Sequence, residues 1–158
     1  GRRSMNYQQQ AVAGMNPVEL IVALYDGMIR FLYRAVAAIE GRDVADRRTA
    51  IGRVLEILMH LQSRLRMDIG GSSARALSEF YASIFALCLE GSRLESADRL
   101  REAIACVRDV RDAWRVAAGD PEVLRQLAEQ GSGMAAPVLI PATRPHGAAE
   151  AAQSSWTA

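Results

Sequence analysis

Side chains that could carry out catalysis or bind a metal are few and scattered in this sequence. His60 follows Glu56 at a spacing of four, and the other histidine, His146, lies near the end of the chain. A di-metal carboxylate site in a helical protein needs Glu-x-x-His on two helices together with further inward-facing acids. The sequence has neither that spacing nor a second copy, so it predicts no metal and no cofactor.

One further pair, Arg53 and His60, has a spacing of seven that would place both side chains on one helix face. The arrangement is similar to that of helical-bundle ribonucleases, in which a histidine acts as acid or base and an arginine holds a phosphate. A ribonuclease is therefore kept as an alternative. No glycine-rich phosphate loop, serine elbow or cysteine–histidine cluster is present. The sequence thus favours a binding protein over an enzyme, with no catalytic residue.

The composition is that of a folded protein of about one domain. The 158 residues are 50% hydrophobic and 23% charged, with a net charge of +1. Such a balance gives no strong field toward nucleic acid, so no nucleic-acid partner is expected. No run approaches the ~18–20 apolar residues that span a bilayer, so no membrane insertion is expected. Cys88 and Cys106 lie in apolar patterns and are predicted to be buried free thiols, as in a cytoplasmic protein.

Apolar residues recur at steps of three and four through most of the chain, which indicates helices. Asn16, Pro17 and Glu19 form a capping-box pattern, and Ser96 is a second predicted cap. The predicted helices run from Asn16 to Gly41, from about Asp43 to about Met67, from Ser72 or Ser73 to Gly91, and from Ser96 to Gly119. Short links make successive helices antiparallel, so we predict an all-α fold, an antiparallel up-down four-helix bundle.

Each predicted helix has an apolar stripe that we expect to face the core. The stripes consist of Ile21, Tyr25, Met28, Leu32, Ala35 and Ile39; Ile51, Val54, Leu58, Leu61 and Leu65; Leu77, Phe80, Tyr81, Ile84, Leu87 and Cys88; and Leu100, Ala103, Val107, Val110 and Trp114. Trp114 is predicted to anchor the core.

Composition divides the chain into four parts. We expect a flexible N-terminal lid segment at 1–15, the bundle at 16–119, a short extra helix at 120–130 and a flexible Pro/Ala/Gly-rich tail at 131–158. The tail contains one apolar triplet, Val138-Leu139-Ile140, which is either an incidental hydrophobic patch or a short docking motif. Residues 5–15 either cover a groove or form a frayed terminus.

The first helix carries more apolar residues than one core stripe needs, and the second and third helices also carry extra ones. Examples are Leu20 and Leu24 on the first helix and Leu55 and Met59 on the second. This excess indicates either a wide core or a groove that accepts a partner helix.

Several short motifs in a fixed order give the chain a family resemblance. They are Tyr7 with its glutamine-rich leader, Asn16-Pro17-Val18-Glu19-Leu20-Ile21, Leu24-Tyr25-Asp26-Gly27, Ile39-Glu40-Gly41-Arg42-Asp43, Arg53-Val54-Leu55-Glu56-Ile57-Leu58, Gly70-Gly71, Leu77-Ser78-Glu79-Phe80-Tyr81 and Arg111-Asp112-Ala113-Trp114. From about Tyr7 to Ala118, the chain resembles the FliS family of flagellin export chaperones. The tail beyond Gly119 lies outside the resemblance.

The resemblance implies a cytoplasmic helical bundle that binds the disordered C-terminal segment of flagellin. Binding would prevent premature polymerisation and deliver flagellin to the flagellar type III export apparatus. The family's N-terminal segment is thought to cover part of the site, which makes Tyr7 and Val12 the matching lid candidates. An adaptor that binds another flagellar regulator is the alternative within the same fold. We expect the groove or its lid to comprise Tyr7, Leu20, Leu24, Tyr25, Leu55, Phe80, Tyr81 and Leu87.

Overall fold

The computed structural model describes residues 16–68, 70–122 and 125, and in this part of the chain there are four helices. The predicted all-α fold is therefore confirmed. The helices are α1 (Pro17–Glu40), α2 (Val44–Ser63), α3 (Gly71–Arg93) and α4 (Ala97–Ala118). The predicted N-terminal lid, most of the predicted helix at 120–130 and the tail at 131–158 lie outside the described residues.

Side-chain caps fix where three of the helices begin. The Glu19 N–H donates to Asn16 Oδ1 at 2.8 Å, and the Asn16 N–H donates to a Glu19 carboxylate oxygen at 3.3 Å. This reciprocal pair confirms the predicted capping box. Asp43 caps α2 and Ser96 caps α4 by accepting from the N–H three residues later. Each cap satisfies an N–H that the first helical turn leaves without a partner.

Two tight turns at the same end of the bundle have the same geometry. Arg42 and Glu95 adopt left-handed backbone conformations, with φ of 56° and 51°. The following cap residue donates its N–H back to a helix carbonyl at 2.8 Å, from Asp43 to Ala38 and from Ser96 to Gly91. These are Schellman-type endings, which reverse the chain within three residues. The connections are too short to cross a helix length, so α1–α2 and α3–α4 are antiparallel hairpins.

Two predicted helix ends were wrong, and packing explains the second of them. The helix α2 ends at Ser63 rather than near Met67, and α3 continues past Gly91 to Arg93. Gly91 is a buried packing position, because a Cβ added there would lie 2.6 Å from Leu100 Cδ2 on α4. The helix α3 begins at Gly71, slightly before the predicted serines.

The helices form a closed ring in which each packs against the next and α4 returns to α1. Contacts of α1 with α2 and α4 are the most extensive, whereas α2 and α3 touch least. The predicted core stripes are buried, apart from Ile39 and Leu65, which are half-buried. Trp114 is fully buried and anchors the core as predicted. The unequal packing leaves the outer seam between α2 and α3 open, and the candidate site lies there.

Candidate functional site: an apolar groove between two helices

The seam between α2 and α3 is a surface groove with a volume of about 680 Å³. Its volume is within the range of clefts that bind ligands in other proteins, ~300–1,000 Å³. None of the side chains that line it is charged. They are Leu58, Met59, Gln62 and Ser63 from α2, and Ser78, Tyr81, Ala82, Phe85, Ala86 and Leu89 from α3.

A second stripe on α3 explains why the groove forms. Ser78, Ala82, Phe85 and Leu89 recur at steps of four, three and four, beside the stripe that faces the core. The small side chains of Ser78 and Ala82 do not fill the space toward α2, so the two helices leave a channel between their outer edges. A groove with this lining can bind an apolar surface, and its polar groups among the described residues are two serine hydroxyls, one glutamine amide and one tyrosine hydroxyl.

Met59 and Leu89 leave apolar surface in contact with water at the rims of the groove. Met59 is 64% exposed and Leu89 is 47% exposed, while Phe85 is half-buried between them. Long apolar side chains that converge on one exposed seam are typical of an interaction site. Methionine is well suited to such a rim because its unbranched chain adapts to different partner shapes.

The floor of the groove contains a buried hydrogen bond between two tyrosines. The Tyr25 hydroxyl on α1 donates to the Tyr81 hydroxyl on α3 at 2.9 Å, and the rings meet edge to face with centroids 6.3 Å apart. Burial, followed by the neighbouring Tyr81, raises the pKa of Tyr25 well above its ordinary value. Burial also raises the pKa of Tyr81. Both hydroxyls therefore stay neutral at physiological pH and tie α1 to α3 below the groove.

The indole of Trp114 lies beside this pair. Its Nε1 is buried without a hydrogen bond of ordinary geometry to another described residue. The indole is nevertheless close enough to Tyr25 to lower the pKa of that hydroxyl, but burial raises this pKa by more. The floor is thus a packed cluster of aromatic rings.

Of the residues predicted from the sequence to form the groove or its lid, Tyr81 lines this groove. Tyr25, Phe80 and Leu87 are buried in the core, where Phe80 packs against Tyr81 with ring centroids 5.8 Å apart. The structure places Leu20 and Leu24 half-buried on α1, and Leu55 half-buried on α2, outside the groove lining. The predicted lid residue Tyr7 lies outside the described residues. A role of these side chains in partner binding stays a prediction.

Sequence reasoning missed Phe85, Ala82, Ala86 and Leu89 as groove residues. The second stripe on α3 was the available signal, since its members follow the helical period as regularly as the core stripe does. Met59 stood out in the sequence only as part of an apolar excess on the second helix.

The ribonuclease alternative gains no support from the geometry. Arg53 pairs with Glu56 at 3.3 Å, and both side chains are more than half exposed. His60 is exposed and does not line the groove.

Cys88 and Cys106 are both buried, as predicted. No helix in the described ranges is long and apolar enough to cross a membrane.

Comparison with known proteins gives a consistent result. A family model described as "Flagellar protein FliS" matches residues 2–121. The chain is 31% identical over 109 residues to the flagellar secretion chaperone FliS of Campylobacter jejuni, covering 69% of this chain and 85% of that protein. It is 28% identical over 111 residues to the protein of the same name from Bacillus subtilis, covering 70% and 82%.

A third relative, the flagellar secretion chaperone FliS of Salmonella typhimurium, is 28% identical over 108 residues, which cover 68% of this chain and 80% of that protein. The family is one of chaperones rather than enzymes. The match covers all four helices and both sides of the groove. The chain belongs to the FliS family of flagellar proteins.

Proposed function

We propose that this protein is a cytoplasmic flagellar export chaperone that binds the disordered C-terminal segment of flagellin in the groove between α2 and α3. Binding keeps that segment from premature polymerisation and presents flagellin to the flagellar type III export apparatus. The single observation that carries the proposal is an uncharged, apolar groove that stays open along one seam of a FliS-family bundle.

The dimensions of the groove suit one helix of an amphipathic peptide. From Ser78 to Leu89 the lining of α3 extends over eleven residue steps, about 16 Å at 1.5 Å per residue. That length matches about three turns of a bound helix, enough for apolar anchors at positions i, i+3 or i+4, and i+7. The apolar face of the peptide would contact Met59, Phe85 and Leu89, and its polar face would remain in water.

The chemistry of the groove also accounts for release at the export apparatus. A segment that is disordered alone loses conformational entropy when it folds in the groove, which weakens binding for a given contact area. The complex is therefore specific for an amphipathic helix but separable. A charged lining would have opposed this mode, because apolar side chains cannot compensate buried charges.

The remaining predicted residues have distinct roles in this proposal. Leu20, Leu24 and Leu55 are half-buried and extend the apolar surface available to a longer peptide beyond the groove. Tyr25, Phe80 and Leu87 hold the floor in place. Tyr7 belongs to the N-terminal lid, which covers the part of the site outside the α2–α3 groove before flagellin arrives.

The proposal is tested by calorimetric titration with a peptide covering the last ~40 residues of flagellin from the same cell, long enough for several helical turns. Circular dichroism of the mixture measures the helix gained by the peptide. We expect saturable binding, a helical gain beyond the sum of the separate spectra, and slower polymerisation of purified flagellin in the presence of the protein. Absence of binding at tens of micromolar peptide would remove flagellin's C-terminal segment as the ligand.

A further inference from the structure

The groove between α2 and α3 stays uncovered by any part of the chain that the structure describes. Met59 and Leu89 keep about half or more of their surface in water, although both are large and apolar. Exposure of contiguous apolar surface favours any segment that can cover it. A segment joined to the bundle by its own chain has the advantage of a high local concentration.

Residues 119–158 supply such a segment. Positions 131–141 carry no charged side chain and include three consecutive aliphatic residues, Val138, Leu139 and Ile140. Pro137 and Pro141 flank the triplet. Proline fixes its own φ and disfavours helical geometry in the residue before it, so the triplet is biased toward an extended backbone. This bias reduces the entropy lost when the triplet docks.

We propose that the triplet Val138–Ile140 docks in the α2–α3 groove of its own chain and competes there with the incoming flagellin segment. The competition rests on the proposed function, whereas the docking itself does not. In an extended backbone Val138 and Ile140 project to one side and Leu139 to the other. The first pair enters the uncharged groove, whose volume of about 680 Å³ accommodates both side chains.

The connection from the bundle to the triplet has a suitable length. In the up-down bundle α4 ends at Ala118, at the same end as the last residue of α2, Ser63, which lines the groove. Pro121, Glu122 and Arg125 are helical, and 13 residue steps separate Arg125 from Val138, which gives a root-mean-square reach of about 20 Å by flexible-linker statistics. Two helix diameters of ~10 Å separate opposite sides of the bundle. Effective concentration is greatest when reach and span match in this way.

Docking is tested by disulfide formation in the full chain. The double variant Met59→Cys/Val138→Cys, which places the second thiol on the side of the triplet that enters the groove, is compared with the control Met59→Cys/Ser154→Cys, in which the second position lies outside the triplet. Burial raises the pKa of Cys88 to about 12 and that of Cys106 to about 11, so the native thiols react slowly. The longer connection to Ser154 alone would slow closure about threefold.

We expect the intramolecular disulfide to form at least about tenfold faster in the Val138→Cys variant than in the control, since docking adds to the length effect. A ratio near three, which is the effect of length alone, would overturn the proposal. A disulfide between two chains would make a second copy the occupant, and would also overturn it. Faster closure in Val12→Cys/Met59→Cys than in the Val138→Cys variant would assign the groove to the N-terminal segment instead.

Competition is measured separately with the triple variant Val138→Ser/Leu139→Ser/Ile140→Ser. Removing the competitor should tighten binding of the flagellin peptide by roughly fivefold, because apparent affinity scales with the fraction of open groove. Unchanged affinity would contradict competition. Absence of binding by both the natural chain and the triple variant would refute the proposed function, while the disulfide ratio would still decide whether the triplet docks.

Discussion

The hydrogen bond between Tyr25 and Tyr81 predicts strong coupling between two substitutions. Tyr25→Phe or Tyr81→Phe alone leaves the other hydroxyl buried without this partner, which costs about 1–3 kcal/mol of unfolding free energy. The double variant Tyr25→Phe/Tyr81→Phe removes both polar groups and keeps both rings. It should therefore cost less than the sum of the single variants, with a coupling of about 1 kcal/mol or more.

Urea unfolding followed by far-ultraviolet circular dichroism measures this cycle, with unchanged m-values as the sign that the same structure unfolds. Each 1 kcal/mol corresponds to about 4–8 °C in Tm for a domain of this size. Tyr33→Phe is the matched control, since Tyr33 is 49% exposed and its hydroxyl accepts a hydrogen bond from Arg108 at the surface. We expect it to change stability by less than about 0.5 kcal/mol.

Additive costs in the double variant, within about 0.3 kcal/mol, would refute the reasoning, because the hydroxyls would then not depend on each other. Tyr81→Phe also separates stability from binding. It removes a buried hydroxyl but keeps the ring that lines the groove, so affinity for the flagellin peptide should be unchanged while stability falls.

Three further predictions concern the bundle. Gly91→Ala should lower the unfolding free energy by about 1–3 kcal/mol, because the new Cβ would lie 2.6 Å from Leu100 Cδ2. Gly52→Ala should raise the unfolding free energy by about 0.5–1 kcal/mol, because a Cβ there has no atom within 4 Å and alanine favours the helix. Equal effects of the two substitutions in urea unfolding would contradict this packing. Arg42→Gly should raise Tm, because φ at Arg42 is 56° and glycine adopts this left-handed conformation without steric cost. Arg42→Ala should not raise Tm. An equal gain in both variants would contradict backbone strain as the cause. Burial raises the pKa of the Cys88 thiol to about 12. The stabilisation by the protonated thiol is therefore complete below pH ~8.5 and is lost as the pH rises toward 12. An unfolding free energy from urea titrations that does not decline at alkaline pH would contradict this pH dependence.

Local rules predicted most of the helical framework. Asn16 and Ser96 were recognisable as caps because capping depends on residues only three positions apart. The core stripes followed the helical period for the same reason. One helix end that was wrong depends on tertiary packing: Gly91 resembles a helix stop in sequence, but a side chain there would collide with Leu100 where α3 approaches α4.

The location of the groove could not be deduced from residue type alone. Leu24, Leu55 and Met59 are all apolar residues beside a core stripe, yet Leu24 and Leu55 are half-buried and Met59 is exposed. The difference arises from the neighbours, because α1 is enclosed by α2 and α4, whereas no described helix covers the outer edges of α2 and α3. Periodicity identifies which residues share a face, but inter-helix contacts decide which faces remain open.

The most direct test of the central claim compares two charged substitutions in the flagellin-peptide titration. Met59 lines the groove and is 64% exposed, whereas Val116 on α4 is 71% exposed and lies outside the groove lining. Because both side chains are exposed, Met59→Glu and Val116→Glu should each change the unfolding free energy by less than about 0.5 kcal/mol. The Met59→Glu carboxylate would have to be covered by the apolar face of the peptide, at a cost of at least about 2 kcal/mol.

The account predicts that Met59→Glu weakens peptide binding at least about 30-fold and that Val116→Glu leaves it unchanged. Equal affinities of the two folded variants would contradict binding in the groove between α2 and α3.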